Sequence, residues 1–103
     1  MANKYTLAPE AVEDLRSIAH YTQITWGSNQ SKAYETKLVN GFQTIVDGSP
    51  IAKPFKGTNT DLFFVRCEHH YIFYLQGTNP LAIVAILHER MDFIVEIKKR
   101  LNA

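Results

Sequence analysis

The side chains best suited to chemistry gather at two points of one segment, RCEHHYIFYLQGTNPLAIVAILHERMD, spanning Arg66 to Asp92. The first point is Arg66-Cys67-Glu68-His69-His70 and the second is His88-Glu89-Arg90-Met91-Asp92. A histidine moves a proton near neutral pH, and an arginine stabilises charge developing on a phosphoryl group. Arg66, His88 and Arg90, together with Lys53 and Lys56 upstream, are a plausible set for metal-free cleavage of RNA. That reaction needs a base for the 2′-OH, cations on the phosphate and an acid for the leaving group. Residue types do not show that these five side chains meet. The plainer reading makes Arg66 a strand residue with its head in solvent, and His88-Glu89-Arg90 the exit of a strand into a helix.

Other candidates carry less. Cys67 and His69 would share a face of an extended chain, but structural zinc wants four ligands and no second pair stands at the usual spacing. No metal or cofactor is expected. A Cys-His nucleophile pair needs an orienting third group, and nothing marks one. Trp26 and Tyr34 have faces on which bases could stack. Aromatics at helical spacing usually belong to a core, and these two are expected to close a helical hairpin against a sheet. Lys98-Lys99-Arg100 is a local basic cluster, or a last helical turn complementing the helix dipole.

The elements that must position these groups follow from spacing. Lys4 to Ala8 is a short extended piece before Pro9, which suits the first position of a helix. Val12, Leu15, Ile18, Ala19, Thr22 and Trp26 recur at three- and four-residue steps, and Gly27 can end that helix. Ser28 or Asn29 can cap a second helix whose apolar face is Ala33, Tyr34, Leu38, Phe42, Ile45 and Val46. Helices joined so tightly must fold back on each other. Residues 49–61 read as a long loop. Three strands follow, Leu62–Glu68, Tyr71–Gln76 and Leu81–Leu87, linked shortly enough to form an antiparallel meander. Leu81–Leu87 is apolar at every position, as expected of an interior strand covered on both faces. Asp92 can cap a short last helix with the stripe Phe93, Ile94, Ile97 and Leu101. The expected fold is α+β: a helical hairpin packed on a small, mainly antiparallel four-stranded sheet in the order β-α-α-β-β-β, with a short C-terminal helix.

Composition bounds the rest. At 103 residues one domain, 1–103, is expected. Apolar residues make up 46% of the chain and charged residues 20%, which argues against disorder. The formal net charge of +1 is too small for a nucleic-acid footprint spread over the surface. A single cysteine forms no internal disulfide. The opening MANKYTLAPEAVEDL has no signal-like apolar stretch, and no apolar run reaches the ~20 residues of a membrane span. The expectation is a cytoplasmic protein with no membrane association.

Element order and local patterns meet in a resemblance. Tyr5-Thr6-Leu7, Ala11-Val12-Glu13-Asp14-Leu15-Arg16-Ser17-Ile18, Tyr21-Thr22, Trp26-Gly27, Tyr34, Leu38, Arg66, His70-Tyr71-Ile72-Phe73-Tyr74 and Ile86-Leu87-His88-Glu89-Arg90-Met91-Asp92 together resemble the ParE branch of the RelE/ParE superfamily of bacterial toxin–antitoxin toxins. The closing I-L-H-x-x-M-D pattern is the most specific part. The resemblance implies a toxin that inhibits DNA gyrase by binding, with no catalytic residues. It also implies a ParD-like antitoxin whose C-terminal segment wraps the toxin, so that DNA is met only through the antitoxin. Arg66, Arg90, Trp26 and Tyr34 are the expected partner-binding residues, and Lys98, Lys99 and Arg100 the expected target-binding ones. The alternative is a ribosome-dependent messenger-RNA endoribonuclease of the RelE type, using Arg66, His88, Arg90, Lys53 and Lys56. Glu89 within the closing cluster and the low net charge favour the ParE reading, since docking on ribosomal RNA rewards positive charge.

Overall fold

Pro9 opens the first long helix. Its missing N–H is one the first turn leaves unpaired anyway, and Glu10 adds favourable charge there. The computed structural model describes residues 4–48, 51–56 and 61–101. Over these residues the order is β1 (Tyr5–Leu7), α1 (Pro9–Trp26), α2 (Ser28–Val46), β2 (Lys53–Pro54), β3 (Leu62–Cys67), β4 (His70–Leu75), β5 (Leu81–His88) and α3 (Phe93–Leu101). The strands form one sheet in the order β1-β5-β4-β3-β2, with β1 parallel to β5 and every other pairing antiparallel. The α+β class and the helical hairpin are as expected. The sheet has five described strands rather than four. Within the stretch expected as loop, Lys53–Pro54 pairs with Phe63 and Phe64, and a proline is tolerated there because the strand is an edge. Ser49, Pro50 and residues 57–60 of that stretch lie outside the described residues.

The hairpin turns on one residue. Gly27 has φ 93°, a conformation that favours glycine, and it ends α1 while its carbonyl accepts the Ser31 N–H at 3.0 Å in the first turn of α2. Ser28 and Asn29 make no side-chain cap, contrary to expectation, because α2 has already begun at Ser28. Below the turn the Thr22 hydroxyl bonds the buried Ser31 hydroxyl at 2.9 Å, and Ser31 donates to the Ala19 carbonyl at 3.1 Å. Two small polar residues thus satisfy each other where the helices are closest. At Gly41 an added Cβ would stand 3.0 Å from Ile72 Cδ1 and 3.3 Å from Cys67 Sγ, so α2 lies directly on β3 and β4.

The sheet is covered on both faces, by unequal layers. Ala11, Leu38, Phe42 and Ile45 from the hairpin pack on Val65, Ile72, Tyr74, Ile83 and Ile86. On the other face Ile97 of α3 packs on Leu62, Phe73, Ala85 and Leu87, with Phe55, Phe93 and Leu101 around them. A register shift makes this possible on β5. Phe73 pairs with Ala85 but Tyr74 pairs with Ile83, so Val84 is an extra residue, a bulge. Val84 and Ala85 then both serve the α3 side, while Ile83 and Ile86 serve the hairpin side. Three positions expected on apolar faces are exposed instead. Trp26 is 66% exposed because the last turn of α1 runs beyond the sheet, and Ile94 is 49% exposed on the outer side of α3. Ala33 is also exposed, and Ser31 takes the buried position at that level of α2.

One carboxylate ties the two layers together. Asp14 of α1 accepts the Ile86 N–H at 2.9 Å, beyond the last β1 pairing at Ile83. The same carboxylate receives both Arg100 Nη atoms from α3, at 2.6 and 2.8 Å. The two side chains are only 16% and 15% exposed, against 56% and 32% for the Arg66–Glu89 pair. Asp14→Ala leaves a shielded guanidinium and a strand N–H without partners, so it should cost about 3 kcal/mol in urea unfolding. Amide exchange should rise most in α3, and unchanged α3 exchange would contradict this role.

Candidate functional site

The two polar points of the sequence meet at one corner of the sheet. β3 turns into β4 through Glu68 and His69 alone, with Cys67 paired to His70 and Glu68 at φ 57°. β5 runs alongside, pairing His88 with His70. Its exit is hydrogen-bonded to that turn, since the Glu89 N–H donates to the His69 carbonyl at 2.9 Å. The chain then tightens: the Arg90 N–H donates to His88 Nδ1 at 3.1 Å, the Met91 N–H to the His88 carbonyl at 3.0 Å, and the Val95 N–H to Asp92 Oδ1 at 3.2 Å. Asp92 therefore caps α3 as expected.

Side-chain charges here are matched locally. Glu89 accepts from Arg66 Nη2 and from His69 Nδ1, both at 3.0 Å, and Arg66 Nε donates to the Glu68 carbonyl at 2.9 Å. The hydrogen bond from His69, helped by Arg66, holds the Glu89 carboxyl below its usual range. Lys37 of α2 meets Glu68 at 2.8 Å, which lowers the Glu68 carboxyl and raises the Lys37 ammonium. Among the described residues no carboxylate pairs with Arg90, although it lines the same region.

Beneath this layer a buried relay joins the hairpin to the sheet. The Tyr34 hydroxyl accepts the His69 N–H at 3.1 Å and is hydrogen-bonded to His70 Nδ1 at 2.6 Å, where the assignment that gives the phenol hydrogen an acceptor directs it to Nδ1. His70 is buried and packs edge-on against His88 at 5.1 Å. Burial first, then the neighbouring histidines, push its pKa down to about 4. Burial likewise raises the Tyr34 phenol and the Cys67 thiol, whose Sγ contacts the Lys37 carbonyl at 3.4 Å.

Between the far half of the hairpin and this corner runs an open groove of about 910 Å³. Ile18, Tyr21, Trp26, Ile86 and Met91 give it apolar walls, and Lys37, Glu68, His69, Glu89 and Arg90 rim one end. Of the expected partner-binding residues, Trp26, Tyr34 and Arg90 line it. Arg66 stands behind Glu89. The five residues of the cleavage set are not brought together. His88 and Arg90 face the groove, Arg66 is engaged with Glu89, and Lys53 sits on the edge strand across β3 with Lys56 just past it. Lys98 is exposed on α3, Lys99 reaches Glu96 at 3.6 Å, and Arg100 is engaged with Asp14. Among the described residues no group of three or more His, Cys, Asp or Glu side chains could hold a metal ion. Sequence reasoning missed His69 and Lys37 as rim residues. The short link between two strand-like runs was the available signal for His69; nothing local marked Lys37, which arrives from another element.

The comparisons agree on where this chain and its fold belong. The family model for the ParE toxin of the type II toxin–antitoxin system parDE matches residues 5–93. The Escherichia coli protein named Toxin ParE is 41% identical over 99 residues, covering 95% of this chain and 96% of its own length. A solved structure described as the chromosomal ParDE TA system from P. aeruginosa superposes with a TM-score of 0.67 over 82% of this chain and 92% of that one. At 10% identity it shows the shared fold. The chain belongs to the ParE toxin family of type II toxin–antitoxin systems. No described helix is long and apolar enough to cross a membrane.

The relay has a pH signature. With His70 harder to protonate folded than unfolded, the unfolded chain takes up that proton first. Its stabilisation is complete above about pH 6.5 and is lost as pH falls towards about 4. Urea unfolding at about pH 7 and about pH 5 should differ by roughly 1–2 kcal/mol after solvent screening is allowed for. Glu68 and Glu89 are also shifted down, but from 4.5, so their contribution is lost only below that ordinary carboxylate value. His70→Asn should remove most of the loss above that value; an unchanged profile would count against the relay.

Proposed function

We propose that this ParE-family toxin acts in the cytoplasm by binding DNA gyrase without catalysis, and that an antitoxin segment seated in the groove neutralises it. The observation that carries the antitoxin part is the groove itself. Its walls expose large apolar side chains, Tyr21, Trp26 and Met91, and its rim holds Arg90 without a carboxylate partner among the described residues. That is the complement of an amphipathic helix or strand with apolar anchors and an acidic flank. Tyr34 would act from beneath, through His70, and Arg66 through Glu89. Gyrase inhibition rests on family membership, and it is supported by the dispersal of the cleavage set, whose two lysines lie away from His88 and Arg90. For the target surface we propose the outer side of α3, where Ile94, Val95 and Lys98 are exposed, with Lys99 beside them. Arg100 would hold that helix in place through Asp14.

Purified toxin should inhibit supercoiling by gyrase, and Lys98→Glu with Lys99→Glu should raise the concentration needed by about tenfold. Trp26→Ala and Arg90→Glu should each weaken antitoxin binding by about 10–100-fold while leaving gyrase inhibition in place. Supercoiling that continues unchanged at saturating toxin would sink the gyrase assignment. Transcripts cut at defined positions soon after toxin expression would favour the ribonuclease alternative.

A further inference from the structure

Three histidines line the polar end of the groove, and their hydrogen bonds set them apart. His70 Nδ1 accepts the Tyr34 hydroxyl at 2.6 Å, and His88 Nδ1 accepts the Arg90 N–H at 3.1 Å. Both therefore carry their proton on Nε2 when neutral, an assignment made from these partners. A second proton on either would arrive at Nδ1 and break the bond accepted there. His69 is arranged the other way. A carboxylate only accepts, so His69 Nδ1–H donates to Glu89 Oε2 at 3.0 Å. The lone pair left on Nε2 has no hydrogen-bond partner among the described residues, and the side chain is 68% exposed. A second proton can add there without breaking anything, and Glu89 stands ready to balance the resulting cation.

The surrounding charges point the same way. Glu89 is shared with Arg66, Glu68 is paired with Lys37 of α2, and Asp14 is paired with Arg100 of α3. Around His69 this leaves Arg90, His70 and His88 of the β5 and β4 ends, and Tyr34 of α2, with no unpaired anion at this end of the groove among the described residues. An incoming carboxylate would meet Arg90, whose charge does not change, and His69, whose charge can.

We infer that His69 is a recognition residue for a carboxylate of the docked segment, and that it acts as the imidazolium, so that docking takes up a proton. This rests on the reading of the groove as the antitoxin's seat. Binding then strengthens as pH falls through the neutral range, by linkage between proton uptake and affinity.

The test titrates the full chain with the antitoxin encoded beside it, by calorimetry at about pH 6, 7 and 8 and in two buffers of different ionisation enthalpy. The dissociation constant should fall about 3–10-fold from the highest to the lowest pH, with net proton uptake on binding. His69→Asn keeps a donor for Glu89 but cannot ionise, and it should flatten the dependence. His20→Asn, on the exposed side of α1, should keep it. In the wild-type complex, imidazole nitrogen shifts should show His69 Nε2 protonated near neutral pH, a readout that needs no substitution. A pH slope for His69→Asn equal to that of the wild type, or proton release on binding, overturns the inference alone. A wild-type chain that binds no antitoxin at any pH overturns the groove reading and this inference together.

Discussion

A single carboxylate at the edge of the sheet holds the architecture to one arrangement. β1 is only three residues long, so the outer edge of β5 is unpaired from its middle onward. An open edge beside an apolar strand is a template for association with another chain. Asp14 blocks it by accepting the Ile86 N–H, and the charge it brings to a shielded position is matched by the two-pronged approach of Arg100. The consequence reaches both faces. α1 is fixed in height against β5, and α3, whose own buried contribution centres on Ile97 with Phe93 and Leu101 at its flanks, gains a polar anchor that nine helical residues need. A shielded pair of this kind contributes little compared with an apolar replacement, but it specifies geometry. Here it fixes the rotation of α3, and so decides that Ile94 and Val95 face outward.

The same economy governs the polar corner. Lys37, Arg66 and His69 are each drawn to a glutamate of their own chain: the contacts of Arg66 and His69 with Glu89 lace the β3–β4 turn to the β5 exit, and that of Lys37 with Glu68 ties α2 to the turn. Exposed pairs of this type add little stability. Their effect is on position: they hold the β5 exit against the turn, and so present Arg90 and Met91 to the groove opposite Tyr21 and Trp26. The hairpin supplies the opposite wall because α1 continues past the sheet before Gly27 reverses it. A core aromatic at position 26 would have required a sheet extending further under the hairpin.

How much of this was legible follows the range of the interactions. Pro9, Gly27, the aromatic and branched run of β3 and the Asp92 cap are local signals, and the elements they predict are present. The apolar run of β5 told correctly that both faces are covered, although the bulge at Val84 was not visible, since register is a property of two strands. Trp26 and Ile94 were misplaced because helical spacing says that a face is shared and not how far the covering layer extends. The candidate site was half visible. Arg90 and the closing residues stood out by type, whereas Lys37 enters from a helix some thirty residues earlier in the chain, as its contact with Glu68 shows. Nothing local marked Asp14, and its partner Arg100 stood as one of three adjacent cations, Lys98-Lys99-Arg100. Burial alone separates that arginine from Lys98 and Lys99.

That separation bears on how a nearly neutral chain can make charge-directed contacts. A net charge of +1 rules out recognition by a broad field, but the internal pairings leave unpaired charge at chosen places. Arg100 is removed from the surface by Asp14, Arg66 is balanced by Glu89, and Lys37 by Glu68. Arg90 at the groove rim and Lys98 on the outer side of α3 remain without carboxylate partners among the described residues. They stand next to the apolar side chains Met91 and Ile94–Val95 respectively. Each surface then combines one uncompensated cation with a small apolar patch, which favours a partner carrying an acid beside an apolar anchor over any diffuse polyanion. The groove lies on the hairpin side of the sheet and α3 on the other, with only the short junction from Arg90 to Phe93 between the two patches along the chain.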